Sequence, residues 1–177
     1  LAAAFDRGAT TAMVNPRVHY VRPVSLVDRG GMLPRDKARR GLGLHPDRPA
    51  VLINMTADST DSLAELITRV RDEVVRKRPA ATLFAPTHIL HPGGLPAVDG
   101  VVMRPVYPVA RYLRAFDAAV STAGYNTFHE IVLAGTPAVF TARATGSLDD
   151  QALRARTAGL GGFGLHVDDV RSDLFGP

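Results

Sequence analysis

Residues 50–55, AVLINM, form an almost unbroken apolar run, and the segment after them changes period. Leu63, Leu66, Ile67, Val70 and Val74 recur three and four residues apart, the spacing of one helix face. A strand apolar on both sides, joined to a long amphipathic helix, buries itself best in a parallel sheet with helices on both faces. The pattern repeats along the chain. Residues 82–85 and 101–104 read as strands, with the Pro/Gly-rich residues 86–100 as the loop between them. Residues 109–115 then read as a short helix, 117–120 as a strand, 126–134 as a helix and 138–141 as a strand. A helix over 149–158 and a strand over 164–167 complete the series. Upstream, residues 18–24 give a short strand signal ended by Pro23, and Pro34 opens a helix over 35–42 closed by Gly41 and Gly43. Asp58 or Ser59 is placed to cap the long helix that runs to Lys77. The expectation is an α/β chain built on one parallel sheet.

At 177 residues the chain suits a single domain. Apolar residues at 46% and charged residues at 21% mark it as globular rather than disordered. No stretch approaches the roughly 18 apolar residues of a membrane span. Leu1 is not an initiator methionine, so the chain reads as a piece of a larger protein. Residues 1–16 are expected to be a linker or the edge of a missing N-terminal domain, residues 17–170 the folded domain, and 171–177 a tail. The absence of cysteine removes disulfides, thiolate chemistry and cysteine-ligated zinc, and the cytoplasm is the default compartment. The net charge of +4 rests on nineteen Arg and two Lys. They are scattered, with short clusters at 35–40 and 69–78, and few aromatics accompany them, which argues against nucleic acid. A modest basic surface facing phosphates or anionic lipid fits better, and with it peripheral contact with a membrane.

In open parallel sheets, ligands bind beyond the carboxyl ends of the strands. Three polar segments fall at such ends: 56–59, 121–127 and 143–151; a fourth, 107–109, joins a strand to a helix on the same rim. The second segment opens the string STAGYNTFHE, residues 121–130. Small hydroxyl residues and Gly124 there precede a helix, where backbone N–H groups can bind an anion. Glu130 lies one turn further in, and Asp150 and Gln151 wait beyond the next strand. Thr127 and Glu130 also match a capping box, in which the carboxylate bonds back to the helix start. The competing reading has Glu130 accept hydrogen bonds from a vicinal diol such as a ribose. Spacing alone leaves both open.

Other candidates carry less. Ser121 has no G-x-S-x-G context and no acid–base partner, so a hydrolase triad is disfavoured. His88 and His91 lack a third ligand, and no metal site is expected. Residues 159–164, GLGGFG, follow a helix and precede a strand, the reverse of a dinucleotide loop, and read as a helix-terminating turn. His129, beside Glu130, reads as structural or as facing the ligand.

The string at 117–130, the AGTP at 134–137 and the DDQALRA at 149–155 together resemble the C-terminal, donor-binding domain of GT-B glycosyltransferases. Similar enzymes include the lipid II-forming N-acetylglucosaminyltransferases and other UDP-sugar transferases. The resemblance implies a Rossmann-like fold, one half of a GT-B enzyme. It implies that Ser121, Thr122, Gly124, Tyr125, Asn126 and Thr127 hold the diphosphate of a UDP-sugar, that Glu130 takes the ribose, and that Asp150 and Gln151 take the sugar. Val106 and Tyr107 would meet the base, with Thr56, Ser59, His129 and Arg143 as further site residues. In relatives the loop at 56–59 is often glycine-rich, whereas here it has no glycine, and Asp58 and Asp61 would repel phosphate. No cofactor or essential metal is implied. The catalytic base and acceptor pocket would lie in an N-terminal domain or a separate acceptor subunit, so that alone the chain would bind donor but transfer little. A UDP-sugar epimerase or hydrolase of the same fold, and a non-catalytic nucleotide-sugar-binding module, are the alternatives.

Overall fold

Side chains alternate across the central strands and feed two separate apolar layers, as a doubly covered sheet requires. The computed structural model describes residues 23–87, 96–143 and 149–168. Their elements run α1 (Arg35–Leu42), β1 (Ala50–Asn54), α2 (Thr60–Lys77), β2 (Thr82–Thr87) and β3 (Val101–Pro105), followed by a 3-10 helix (Val109–Ala115). Then come β4 (Ala118–Thr122), α3 (Tyr125–Ala134), β5 (Ala138–Thr141), α4 (Gln151–Leu160) and β6 (Leu165–His166). The six strands lie in the order β3-β2-β1-β4-β5-β6, and every pairing is parallel. The chain winds outward from β1 to β3, then returns to β4 on the other side of β1. β1 and β4 therefore flank a topological switch point, where the loops at their carboxyl ends part and leave a crevice.

On one face Leu52, Phe84, Ala119 and Phe140 pack with residues of α1, the 3-10 helix, α3 and α4. Half of the eighteen buried residues of this layer are alanine. On the other face Ile53, Leu83, Ala85 and Val120 meet Leu63, Ile67, Val70 and Val74 of α2. Only one of these eleven buried residues is alanine. The periodic stripe read from the sequence is thus the buried face of α2, except that Leu66 is only half-buried.

Several boundaries differ from expectation, each for a local reason. β2 continues through Pro86 and Thr87, beyond its last pairing with β1 at Phe84. Pro86 there has β3 alone as a ladder neighbour, so a missing N–H is tolerated. Gly41 lies inside α1, and the turn is made by Gly43 alone, in the left-handed region at φ 69°. β4 runs two residues further than expected, to Thr122, because Ser121 and Thr122 continue the ladder with Phe140 and Thr141. α4 starts at Gln151, after Asp150 rather than at Asp149. Pro23 and Val24 form no strand. Residues 1–22, His88, His91 and residues 169–177, which include the expected tail at 171–177, lie outside the described residues.

The amino ends of β1 and β4 are joined by a buried arginine. Arg39, 2% exposed, donates to the carbonyls of Ala115, His45, Pro46 and Arg48. It also pairs with Asp117 at 2.7 Å. Asp117 in turn accepts the Ala50 N–H at 2.8 Å and pairs with Arg35 at 2.6 Å. Partial burial pulls the Asp117 carboxyl upward, but the Ala50 N–H and the two arginines outweigh it, and the net shift is downward.

Arg39→Met should lower the unfolding free energy by about 2–4 kcal/mol, because it strips one buried and three part-buried carbonyls and a carboxylate of their shared donor. Because the folded Asp117 carboxyl titrates below its unfolded value of about 3.9, its stabilisation is present above that pH and lost as pH falls through the lower folded value. Chemical denaturation across that range checks both points: the acid-side loss should be shallower in Arg39→Met than in the unsubstituted protein.

Candidate functional site

Three strand ends meet at the carboxyl rim. Thr56, after β1, touches Thr122 at the end of β4, with Oγ1 to Oγ1 at 3.1 Å. The Ala123 N–H donates to Thr141 O at the end of β5, at 2.8 Å. The carboxyl ends of β1, β4 and β5 therefore converge.

Ser121 is fully buried within β4, and its hydroxyl donates to Thr122 O at 2.9 Å. It sits beneath the rim rather than on it, in contrast to the expectation that the loop begins there. Thr122 is also buried. Gly124 is the N-cap of α3, at φ −59° and ψ 143°, with no side-chain cap. Neither its dihedrals nor crowding demands a glycine, since an added Cβ would meet nothing within 4 Å. What the glycine leaves is open space above the backbone. The first helical hydrogen bond is Phe128 N–H to Gly124 O, at 2.9 Å. The amides of Tyr125, Asn126 and Thr127 thus have no intrahelical acceptor, and no acidic residue occupies the first turn. This helix start attracts anions.

The same geometry overturns the capping box. Thr127 is the third residue of α3 and Glu130 the sixth, so neither occupies the position that a capping box needs. Glu130 is buried, 8% exposed, and its Oε1 has no hydrogen-bond partner among the described residues. Burial raises its pKa, against the opposing pull of the Leu26 N–H and the Ser25 hydroxyl. Ser25 itself sits in a turn, its hydroxyl donating to Val27 O at 2.8 Å. His129 is buried between aromatic rings, edge-on to Tyr125 at 4.5 Å and to Phe128 at 5.2 Å.

The polar cluster after β5 is a network. Asp150 caps α4, accepting the Leu153 N–H at 2.9 Å through Oδ1. Gln151 accepts the Arg143 N–H at 3.2 Å and donates to Asp149 at 3.4 Å. Arg154, nearly buried, bonds the Asp149 carboxylate and lies 5.5 Å from the centroid of the Tyr125 ring. Sequence reasoning quoted Asp149 and Arg154 in a motif but gave them no role; their side chains join the α4 start to the α3 start. Arg143 pairs with Asp58, so the acidic residue expected to repel phosphate has a cation beside it. Ser59 is engaged as the N-cap of α2, accepting the Ser62 N–H at 3.1 Å. Val106 packs inward against the core, while Tyr107 is exposed beside the 3-10 helix, which packs on α3. Among the described residues no group of three or more carboxylates and histidines is arranged to hold a metal, and no helix is long and apolar enough to cross a membrane.

The site can therefore hold an anion at a helix start and offers a buried carboxylate further along the same helix. No protein-family model matches the chain. The chain is 30% identical over 169 residues to the UDP-N-acetylglucosamine–N-acetylmuramyl-(pentapeptide) pyrophosphoryl-undecaprenol N-acetylglucosamine transferase of Clavibacter michiganensis, covering 89% of this chain and 43% of that protein. It is 28% identical over 160 residues to the transferase of the same name from Streptomyces collinus, covering 84% and 41%. The chain thus spans less than half the length of these relatives. Among solved structures it is similar to the glycotransferase of kitacinnamycin, with TM-score 0.62, 18% identity, and 95% of this chain and 41% of that one covered. It is also similar to the spinosyn rhamnosyltransferase SpnG complexed with thymidine diphosphate, with TM-score 0.52, 20% identity, and 69% and 32% covered. The fold is thus a Rossmann-like parallel sheet of the kind found in part of these glycosyltransferase structures, and over most of its length the chain is similar to a part of the N-acetylglucosamine transferases named above.

Proposed function

We propose that the chain is the donor-binding half of a glycosyltransferase that transfers a hexosyl or N-acetylhexosaminyl group from a UDP-sugar to an acceptor. The observation that carries the reading is Glu130. A buried carboxylate oxygen that finds no partner among the described residues is costly unless something satisfies it, and it lies under two turns from an uncapped, anion-attracting helix start. A nucleoside diphosphate has a diol and a diphosphate to meet both features. The similarity to transferases named for a UDP-linked donor supports the choice of nucleotide.

In this reading the amides of Tyr125, Asn126 and Thr127 receive the diphosphate, and Gly124 lets it approach the backbone. As the glycosidic bond breaks, negative charge grows on the departing diphosphate, and aligned amides stabilise it without reorganising. Glu130 holds the ribose. Asp150 and Gln151 stand at the sugar end, Asp150 with one oxygen committed to its cap, and Val106 and Tyr107 at the base. The donor is held without a metal. The base that activates the acceptor belongs to an N-terminal domain or partner subunit at the membrane surface, and the chain alone binds donor without efficient transfer.

Calorimetric titration with UDP, GDP and dTDP tests the reading, and UDP should bind best, with EDTA making no difference. Absence of binding by all three at millimolar concentration would sink it. Glu130→Gln should weaken UDP and uridine alike, roughly tenfold to hundredfold, since each hydrogen bond to a charged group contributes about 1.5–3 kcal/mol. Equal affinity in the variant would remove the ribose role.

Gly124→Ala should leave the melting temperature almost unchanged, because the added Cβ meets nothing. It should weaken UDP more than uridine. A stability test complements these binding tests. The folded Glu130 carboxyl keeps its proton to higher pH than the unfolded one, so its charging destabilises the fold as pH rises from about 4.3 through the raised value. Glu130→Gln does not titrate, and its stability relative to the unsubstituted protein should therefore improve across that window. A flat difference in denaturation free energy would contradict the burial argument.

A further inference from the structure

The ion pair between Asp58 and Arg143 links the loop after β1 to the residues after β5, on either side of the β4 end. β1, β4 and β5 are adjacent in that order, so the loops leaving β1 and β5 stand two strand spacings apart, ~10 Å. The end of β4 lies between them. A side-chain pair that joins the outer two loops spans the carboxyl end of β4, which Ala123, Gly124 and the start of α3 follow directly. The Thr56–Thr122 contact and the bond from Ala123 to Thr141 hold the three strand ends together beneath it.

Arg143 is 34% exposed and Asp58 67% exposed. A pair so open to water contributes little to stability, and breaking it costs little. The Arg143 backbone is fixed independently of its guanidinium, through its N–H bond to Gln151. The side chain can therefore change partner while its root stays in place. A diphosphate offers the guanidinium more negative charge than one carboxylate does, in a geometry that suits paired N–H donors. The released Asp58 carboxylate returns to water, where it already largely stands.

Building on the donor-site reading, we propose that Arg143 is a diphosphate-binding residue whose resting counter-ion is Asp58, and that the guanidinium moves from the carboxylate to the incoming nucleotide diphosphate. Asp58 is then an internal competitor. It neutralises the mouth when the site is empty, and it recaptures Arg143 when the nucleoside diphosphate product leaves. The missing glycines of the 56–59 loop have the same explanation. The loop supplies a counter-ion to a cation from across the crevice and does not wrap phosphate with its own backbone.

The test is titration of the full chain, unsubstituted and as Asp58→Asn, Arg143→Met and Arg143→Lys, with UDP and with uridine at low ionic strength. Asp58→Asn should tighten UDP about threefold to tenfold, and Arg143→Met should weaken it about tenfold, both leaving uridine unchanged, as expected for one charge-assisted contact to phosphate. Arg143→Lys should fall between the unsubstituted protein and Arg143→Met, and it keeps the test valid if Arg143→Met does not fold. Weaker UDP binding in Asp58→Asn would overturn the proposal, because Asp58 would then position Arg143 rather than compete for it. Unchanged UDP binding in Arg143→Met, or parallel loss of UDP and uridine, would overturn it as well. UDP binding that survives every variant removes this inference alone, whereas no UDP binding by the unsubstituted protein removes the donor-site reading with it.

Discussion

The sheet is registered at its amino edge by one buried guanidinium. Arg39 gathers carbonyls from the end of the 3-10 helix and from the loop before β1, and its Asp117 partner reaches the first amide of β1. Central parallel strands have no tight hairpin to set their alignment, so an interaction that spans both starts does so. Once Ala50 and Ala118 are anchored, the register between β1 and β4 follows residue by residue to Asn54 and Ser121. The carboxyl ends then lie level, which is why Thr56 and Thr122 touch at the opposite rim. An ion pair at one end of the sheet thus sets the geometry of the crevice at the other.

The rim uses its residues in two ways. Ser59, Asp150 and Gln151 do structural work, capping helices and closing the β5–α4 loop. Gly124 and Glu130 stand apart: one is a glycine that neither dihedrals nor crowding demands, and the other has a buried oxygen with no hydrogen-bond partner among the described residues. Local rules broken without structural gain are where function is usually found.

Much of this was legible in the sequence because the signals are periodic or chemical. The stripe from Leu63 to Val74 and the run from Ala50 mark a strand and a helix by spacing alone, and Gly135 and Gly43 mark helix ends by their left-handed turns. The end of β4 was misjudged because serine and threonine look like loop residues, while in the sheet their short side chains are simply buried. Thr127 and Glu130 look like a capping box until the N-cap is known to be Gly124, three residues earlier. The links from Arg39 to Asp117, from Arg143 to Asp58 and from Arg154 to Tyr125 were not legible at all. The first two join residues about eighty positions apart, and only the fold brings them together.

The unequal composition of the two apolar layers bears on how this fold tolerates change over evolutionary time. Alanines let α1, α3 and α4 sit close on the sheet, and close packing leaves little room for growth. Changes that enlarge a side chain therefore meet their strongest resistance on that face, the face that carries the helix start and Glu130. The α2 face is built from large branched side chains, which exchange for one another at small cost. Sequence drift is thus channelled to one side of the sheet, and the side that carries the α3 start and Glu130 is held still by the smallness of its own residues.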